Sequence, residues 1–236
     1  MNILMIVANP RVSTTVGGPV GLWASELFHP LKAFEGAGYT VTIASPEGGA
    51  ITFDAMSDPR DPSQYSASDT ISLDYIEHRP DIMEKLSDTP GIDTLNLDHF
   101  DAILVCGGQA PMFQFPTATN LHTLIANFYR TGKPTAALCH GTSALLFVDN
   151  GQFVQGKKMT GFANSEEDMA DTMVGQKVMP FRIEDKARAQ GADFVSGPAF
   201  APFATSDGNL ITGQQQNSGS ETARLVIAAL EMQVPT

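Results

Sequence analysis

The 236-residue sequence predicts an α/β fold: a doubly wound, mostly parallel sheet between helical layers, with an insertion after the second strand. Three observations lead there. Short runs that are apolar on every residue recur along the chain, as strands covered on both faces require. Segments with apolar residues at the helical period alternate with those runs. Turn residues, glycine and proline above all, separate one kind from the other.

The elements follow in order. Residues 3–8 are the first apolar run. A turn at Gly17, Gly18 and Pro19 leads into a helix whose residues Leu22, Trp23, Leu27, Leu31 and Phe34 share one face, so Trp23 is expected in the core. Gly36 and Gly38 end the helix, and residues 40–44 form the second strand, completing a βαβ unit. Residues 46–98 then break the rhythm. They carry Asp58-Pro59, Asp61-Pro62 and many Ser and Asp, with a short helix expected only at 82–86. A surface excursion over the sheet is the favoured reading, and a lid over a site the sharper alternative. Regularity returns with a strand at 102–106, a helix from Asn120 through Phe128 closed by Gly132, and a strand at 135–138. From Gly141 the chain turns helical. Beyond it lie a strand at 158–162, a helix near 181–189, strands at 194–195 and 210–212, and a last helix at 220–232. With no repeat and no low-complexity linker, residues 1–236 read as one domain.

Composition restricts the partners. Lys and Arg total 14 against 26 Asp and Glu, a net charge of -12. Such a surface repels phosphate backbones and anionic lipid, so neither nucleic acid nor membrane is expected as a partner. No run approaches the roughly 20 apolar residues that span a bilayer, and no basic segment precedes residues 3–8. Two cysteines, Cys106 and Cys139, make no disulfide framework, and a reducing cytoplasm is the expected compartment.

Chemistry in an open parallel sheet gathers at the carboxyl ends of the strands. One such end reads Leu138-Cys139-His140-Gly141: strand, nucleophile, then a small residue opening a helix. This turn exposes a side chain while backbone N–H groups face any anion that develops. A helix N-terminus there would favour the thiolate. The competing reading, a small buried hydrophobe, suits Cys106 better, since that residue ends an apolar strand. After Cys106, Gly107 and Gly108 permit close backbone approach, so the Gly108 and His140 N–H groups are candidates for an oxyanion hole. His29, His78, His99 and His122 lack metal-ligand spacing, and no Gly-rich phosphate loop is present; neither metal nor cofactor is expected.

These segments carry a resemblance. Residues 137–141 around Cys139, Glu26-Leu27-Phe28-His29-Pro30, and Gly107-Gly108 with Pro111-Met112-Phe113 are similar to the DJ-1/PfpI superfamily, in particular its Hsp31-like, glyoxalase III-like branch. Thr160-Gly161-Phe162, residues 207–214 and the long insertion also resemble that branch. The resemblance implies a flavodoxin-like three-layer sandwich and assigns Cys139 as nucleophile. It also implies Glu26 as the acid beside the sulfur and His140 as the adjacent histidine. Glu167 matches the carboxylate that orients His140, with Glu166 as competitor. The chain departs from the family where Gln109, Ala110 and Gln114 stand, all three expected at the mouth of the site.

The implied activity is a glutathione-independent glyoxalase acting on a small aldehyde such as methylglyoxal, in a homodimer. A cysteine-dependent amidase or hydrolase, and a stress-response holdase or thiol redox sensor, are the alternatives. Glutamine amidotransfer is disfavoured, because similar glutaminases use a histidine downstream of the elbow and none follows His140.

Overall fold

The computed structural model describes residues 1–233. Its main sheet has six strands in the order β4-β1-β5-β6-β10-β9. These are β1 (Asn2–Ile6), β4 (Thr40–Ala44), β5 (Ala102–Val105), β6 (Thr135–Leu138), β9 (Ala204–Asp207) and β10 (Leu210–Gly213). All neighbours pair in parallel except β9, which runs antiparallel to β10 at the edge. A short hairpin, β2 (Arg11–Val12) with β3 (Pro19–Val20), stands between β1 and the first helix.

Alternation along the strands builds the two helical layers. Ile3 and Met5 of β1 face one side, with Leu104 and Ile211. There they meet Leu27, Phe28 and Phe34 of α1 (Ala24–Gly36) and Val226 and Leu230 of α8 (Gly219–Gln233). Leu4 and Ile6 face the other side, with Ile103 and Val105, against Leu121, Leu124 and Phe128 of α5 (Thr119–Arg130). Both faces of the central strands are therefore dry, which is why β5, and β1 beyond Asn2, are apolar throughout.

The segment 46–98 differs from its expectation. Besides α3 (Pro80–Ser87), which contains the expected helix, it forms α2 (Thr70–His78). Asp69 caps α2 by accepting the Ser72 N–H, and Tyr75 stacks on Phe28 with centroids 5.1 Å apart. Tyr75, Ile76, Ile82 and Leu86 are buried in the α1 layer, so the segment is in part core. The expected strand at 158–162 shortens to β7 (Lys158–Met159), which pairs with β8 (Asp193–Phe194) in a separate two-stranded sheet. Between them lie α6 (Asn164–Val174), absent from the sequence expectation, and α7 (Ile183–Ala189). A four-residue helix, α4 (Pro111–Gln114), precedes α5.

Candidate active site

The strand ends deliver two loops to one place. After β6 the chain turns into a 3-10 helix over Cys139–Gly151, broken at Val148, Asp149 and Asn150. Cys139 itself has φ +56, a left-handed conformation that costs a non-glycine residue about 1–3 kcal/mol. Gly141 makes the turn possible, because a Cβ there would lie 2.5 Å from the Cys106 carbonyl oxygen. After β5, Gly108 has φ +106 and packs so tightly on the loop before α1 that a Cβ would lie 2.5 Å from the Gly21 oxygen. Cys106 is fully buried in the α1 layer, as its apolar strand suggests.

Around Cys139 the expected residues come together. His140 Nδ1 lies 3.7 Å from the Cys139 sulfur, and His140 Nε2 lies 3.2 Å from Glu167 Oε1. With Nε2–H donated to Glu167, the Nδ1 lone pair faces the thiol. Glu166 is occupied elsewhere. Its Oε2 accepts the Ala163 N–H, and its Oε1 accepts from the Phe200 N–H and Gln214 Nε2, all at 2.9 Å. Of the two candidates, only Glu167 reaches the histidine. Both sit on the first turn of α6, one residue apart, which is why sequence left them unresolved.

Glu26, in the first turn of α1, is fully buried, and its carboxyl makes no well-formed hydrogen bond, with the Cys139 sulfur and the Gly107 N–H its nearest polar neighbours. Burial pushes its pKa well up, against the opposing pull of the Cys139 sulfur and the Gly107 N–H. Burial and the Glu26 charge likewise push the Cys139 thiol up, and the His140 N–H opposes them. Each group raises the other, so the two do not ionise together. Burial works against the expected effect of a helix N-terminus, and His140 Nδ1, 3.7 Å from the sulfur, is in place to act as a base.

Asp54 is the residue that sequence reasoning missed. It belongs to the insertion, is 2% exposed, and bridges both loops: Oδ1 accepts the Gly21 N–H and Oδ2 the Gln109 N–H, each at 2.7 Å. Its one sequence signal is an acid among apolar neighbours, Phe53-Asp54-Ala55. Trp23 was expected in the core. Instead it caps the start of α1, half-buried, and packs edge-on against Tyr65 at 5.9 Å.

One cavity of about 310 Å³ joins these groups, lined by Glu26, Gly108, Gln109, Cys139, His140 and Glu167, with Trp23, Met56, Tyr65, Phe162 and Phe200 among its walls. Two expectations at its mouth fail. Ala110 is fully buried and donates its N–H to the Gly21 carbonyl. Gln114 accepts the Asn9 N–H and donates to Asn9 Oδ1, both at 2.8 Å, away from the cavity. Gln109 alone of the three lines it. Among the described residues, no three His, Cys, Asp or Glu side chains form a metal-binding group, and no helix is long and apolar enough to cross a membrane.

Residues 21–229 match the model of the DJ-1/PfpI family. The glutathione-independent glyoxalase hsp3101 of Schizosaccharomyces pombe is 31% identical, over 89% of this chain and 88% of its own. The probable glutathione-independent glyoxalase hsp3103 of the same yeast is 29% identical, over 91% and 92%. Among solved structures, Rapid Encystment Protein 24 KDa of Francisella tularensis superposes with a TM-score of 0.85 at 28% identity, covering 97% and 98% of the chains. Glyoxalase III of Candida albicans superposes at 0.80 with 24% identity, covering 97% of both, and shares the flavodoxin-like fold.

Proposed function

Because the chain belongs to the DJ-1/PfpI family, we propose that it is a glutathione-independent glyoxalase, converting a 2-oxoaldehyde such as methylglyoxal to the 2-hydroxy acid. The observation that carries this reading is the set of Cys139, His140, Glu167 and Glu26 around one cavity, with His140 poised between thiol and carboxylate. Relatives named as glyoxalases, matched along most of the chain, support it.

Each residue has a task. His140 Nδ1 takes the thiol proton as the sulfur adds to the aldehyde carbon, and the Gly108 and His140 N–H groups hold the resulting oxyanion. Protonation of that oxygen by His140 completes a hemithioacetal. His140 next removes the C1 proton while the neutral Glu26 carboxyl donates to the C2 carbonyl oxygen, giving an enediol. His140 returns its proton to C2, and Glu26 recovers one from the C1 hydroxyl. The product is a 2-hydroxyacyl thioester. C1 has been oxidised and C2 reduced, so no external oxidant or reductant enters. Water cleaves the thioester, releasing the acid and regenerating the thiol. Glu167 keeps the ring in the working tautomer throughout.

Lactate formation from methylglyoxal without glutathione, by wild type and by Cys139→Ala, tests the reading. Turnover in the wild type and none in the variant is expected; equal rates would refute it.

A further inference from the structure

The catalytic groups occupy one end of the cavity, and the rest of it has a chemistry that methylglyoxal does not use. Its about 310 Å³ equals some ten water volumes at about 30 Å³ each, the lower end of the range for drug-sized ligands. Two aromatic pairs flank it. Phe162 lies 4.3 Å from the His140 ring and meets Phe200 edge-on at 6.3 Å, while Trp23 meets Tyr65 at 5.9 Å. Methionines also line it: Met56 from the insertion, Met169 and Met173 from α6. At the rim Met173 is 65% exposed, an unusual place for an apolar side chain with no partner to cover it. No Lys or Arg lines the cavity among the described residues, whereas Glu26 and Glu167 both do.

From this we infer that the preferred substrate is a 2-oxoaldehyde carrying a bulky, uncharged apolar substituent, an aryl group above all. The inference rests on the glyoxalase reading. With the aldehyde carbon at Cys139, the substituent on C2 points away from the catalytic end and into the walls. Aromatic rings at such spacings favour a further ring in offset or edge-on contact, and methionine adapts to whatever shape remains. A carboxylate or phosphate on the substituent would meet apolar walls and no cation. A methyl group would leave most of the apolar wall in water.

Phenylglyoxal and methylglyoxal, each without glutathione, are the probes, with mandelate and lactate quantified as products. Phenylglyoxal is expected to have the higher kcat/KM, by about tenfold or more. The ratio should fall in Phe200→Ala, which removes wall area, and in Met173→Glu, which places a charge at an exposed rim position that tolerates it. Comparing ratios between proteins cancels the intrinsic reactivity of the two aldehydes. Lactate formed as fast as mandelate or faster, or a ratio that neither variant moves, would overturn the inference while leaving the glyoxalase reading intact. If neither aldehyde is converted faster than by Cys139→Ala, that reading fails, and the inference with it.

Discussion

Asp54→Asn separates stability from activity. Asp54 holds the Gly21 and Gln109 N–H groups at 2.7 Å each, and burial, opposed mainly by those two bonds, raises its pKa from 3.8 to about 6. A raised folded-state value means that its stabilising contribution is fully present below 3.8 and is lost as pH climbs through about 6. Roughly two pH units at about 1.4 kcal/mol each make that loss about 3 kcal/mol. Asparagine escapes the loss, but its amide N–H faces one loop N–H and leaves a buried donor unpaired, at about 1–3 kcal/mol. The variant is therefore expected to be less stable than wild type near pH 4 and equal to it or more stable near pH 7.5. Activity should fall nonetheless, because the loop carrying Gly108 has lost a tether, and misplacing an oxyanion donor costs up to about 10²–10³ in kcat. Urea unfolding across that pH range, with turnover measured at neutral pH, reads both. A stability difference constant with pH, or full activity, would refute the reasoning.

Glu26→Gln removes the ionisable carboxyl that raises the Cys139 thiol, so the pH profile of iodoacetamide labelling at Cys139 should move to lower pH. Cys106, buried in the core, should stay unlabelled in both proteins, and superimposable Cys139 profiles would contradict the coupling. Glu167→Gln keeps size but weakens the hold on His140 Nε2; kcat is expected to drop on the order of 10²–10³, with the melting temperature little changed. A loss confined to KM would point to substrate contact instead.

The sheet was legible because strands buried on both faces announce themselves: residues 3–8 and 102–106 are apolar without interruption. Helices covered on one side by other parts of the chain were harder. In α2 the inward residues Ser72, Tyr75 and Ile76 are spread among Asp74, Glu77 and His78, and a cap at Asp69 is the main local signal. The acidic start of α6 shows little apolar periodicity, and its cap, Glu166 accepting the Ala163 N–H, is a feature of the folded chain. The helix begins at Ala24, two residues later than the pattern from Leu22 suggests, so Trp23 falls outside its apolar face. Cys139, His140 and Glu26 were visible through local pattern and family likeness. The choice of Glu167 over Glu166, and the bridge at Asp54, depend on segments that meet only in three dimensions.

Methylglyoxal labelled with carbon-13 at C1, followed by NMR with glutathione absent, tests the central claim most directly, because the label reports the fate of the atom that Cys139 attacks. Wild type should move the label from the aldehyde hydrate to the lactate carboxylate, with none in pyruvate, and Cys139→Ala should leave it where it began. Label that stays in the aldehyde at the rate of Cys139→Ala, or that emerges in pyruvate, would contradict a glutathione-independent glyoxalase built on this cysteine.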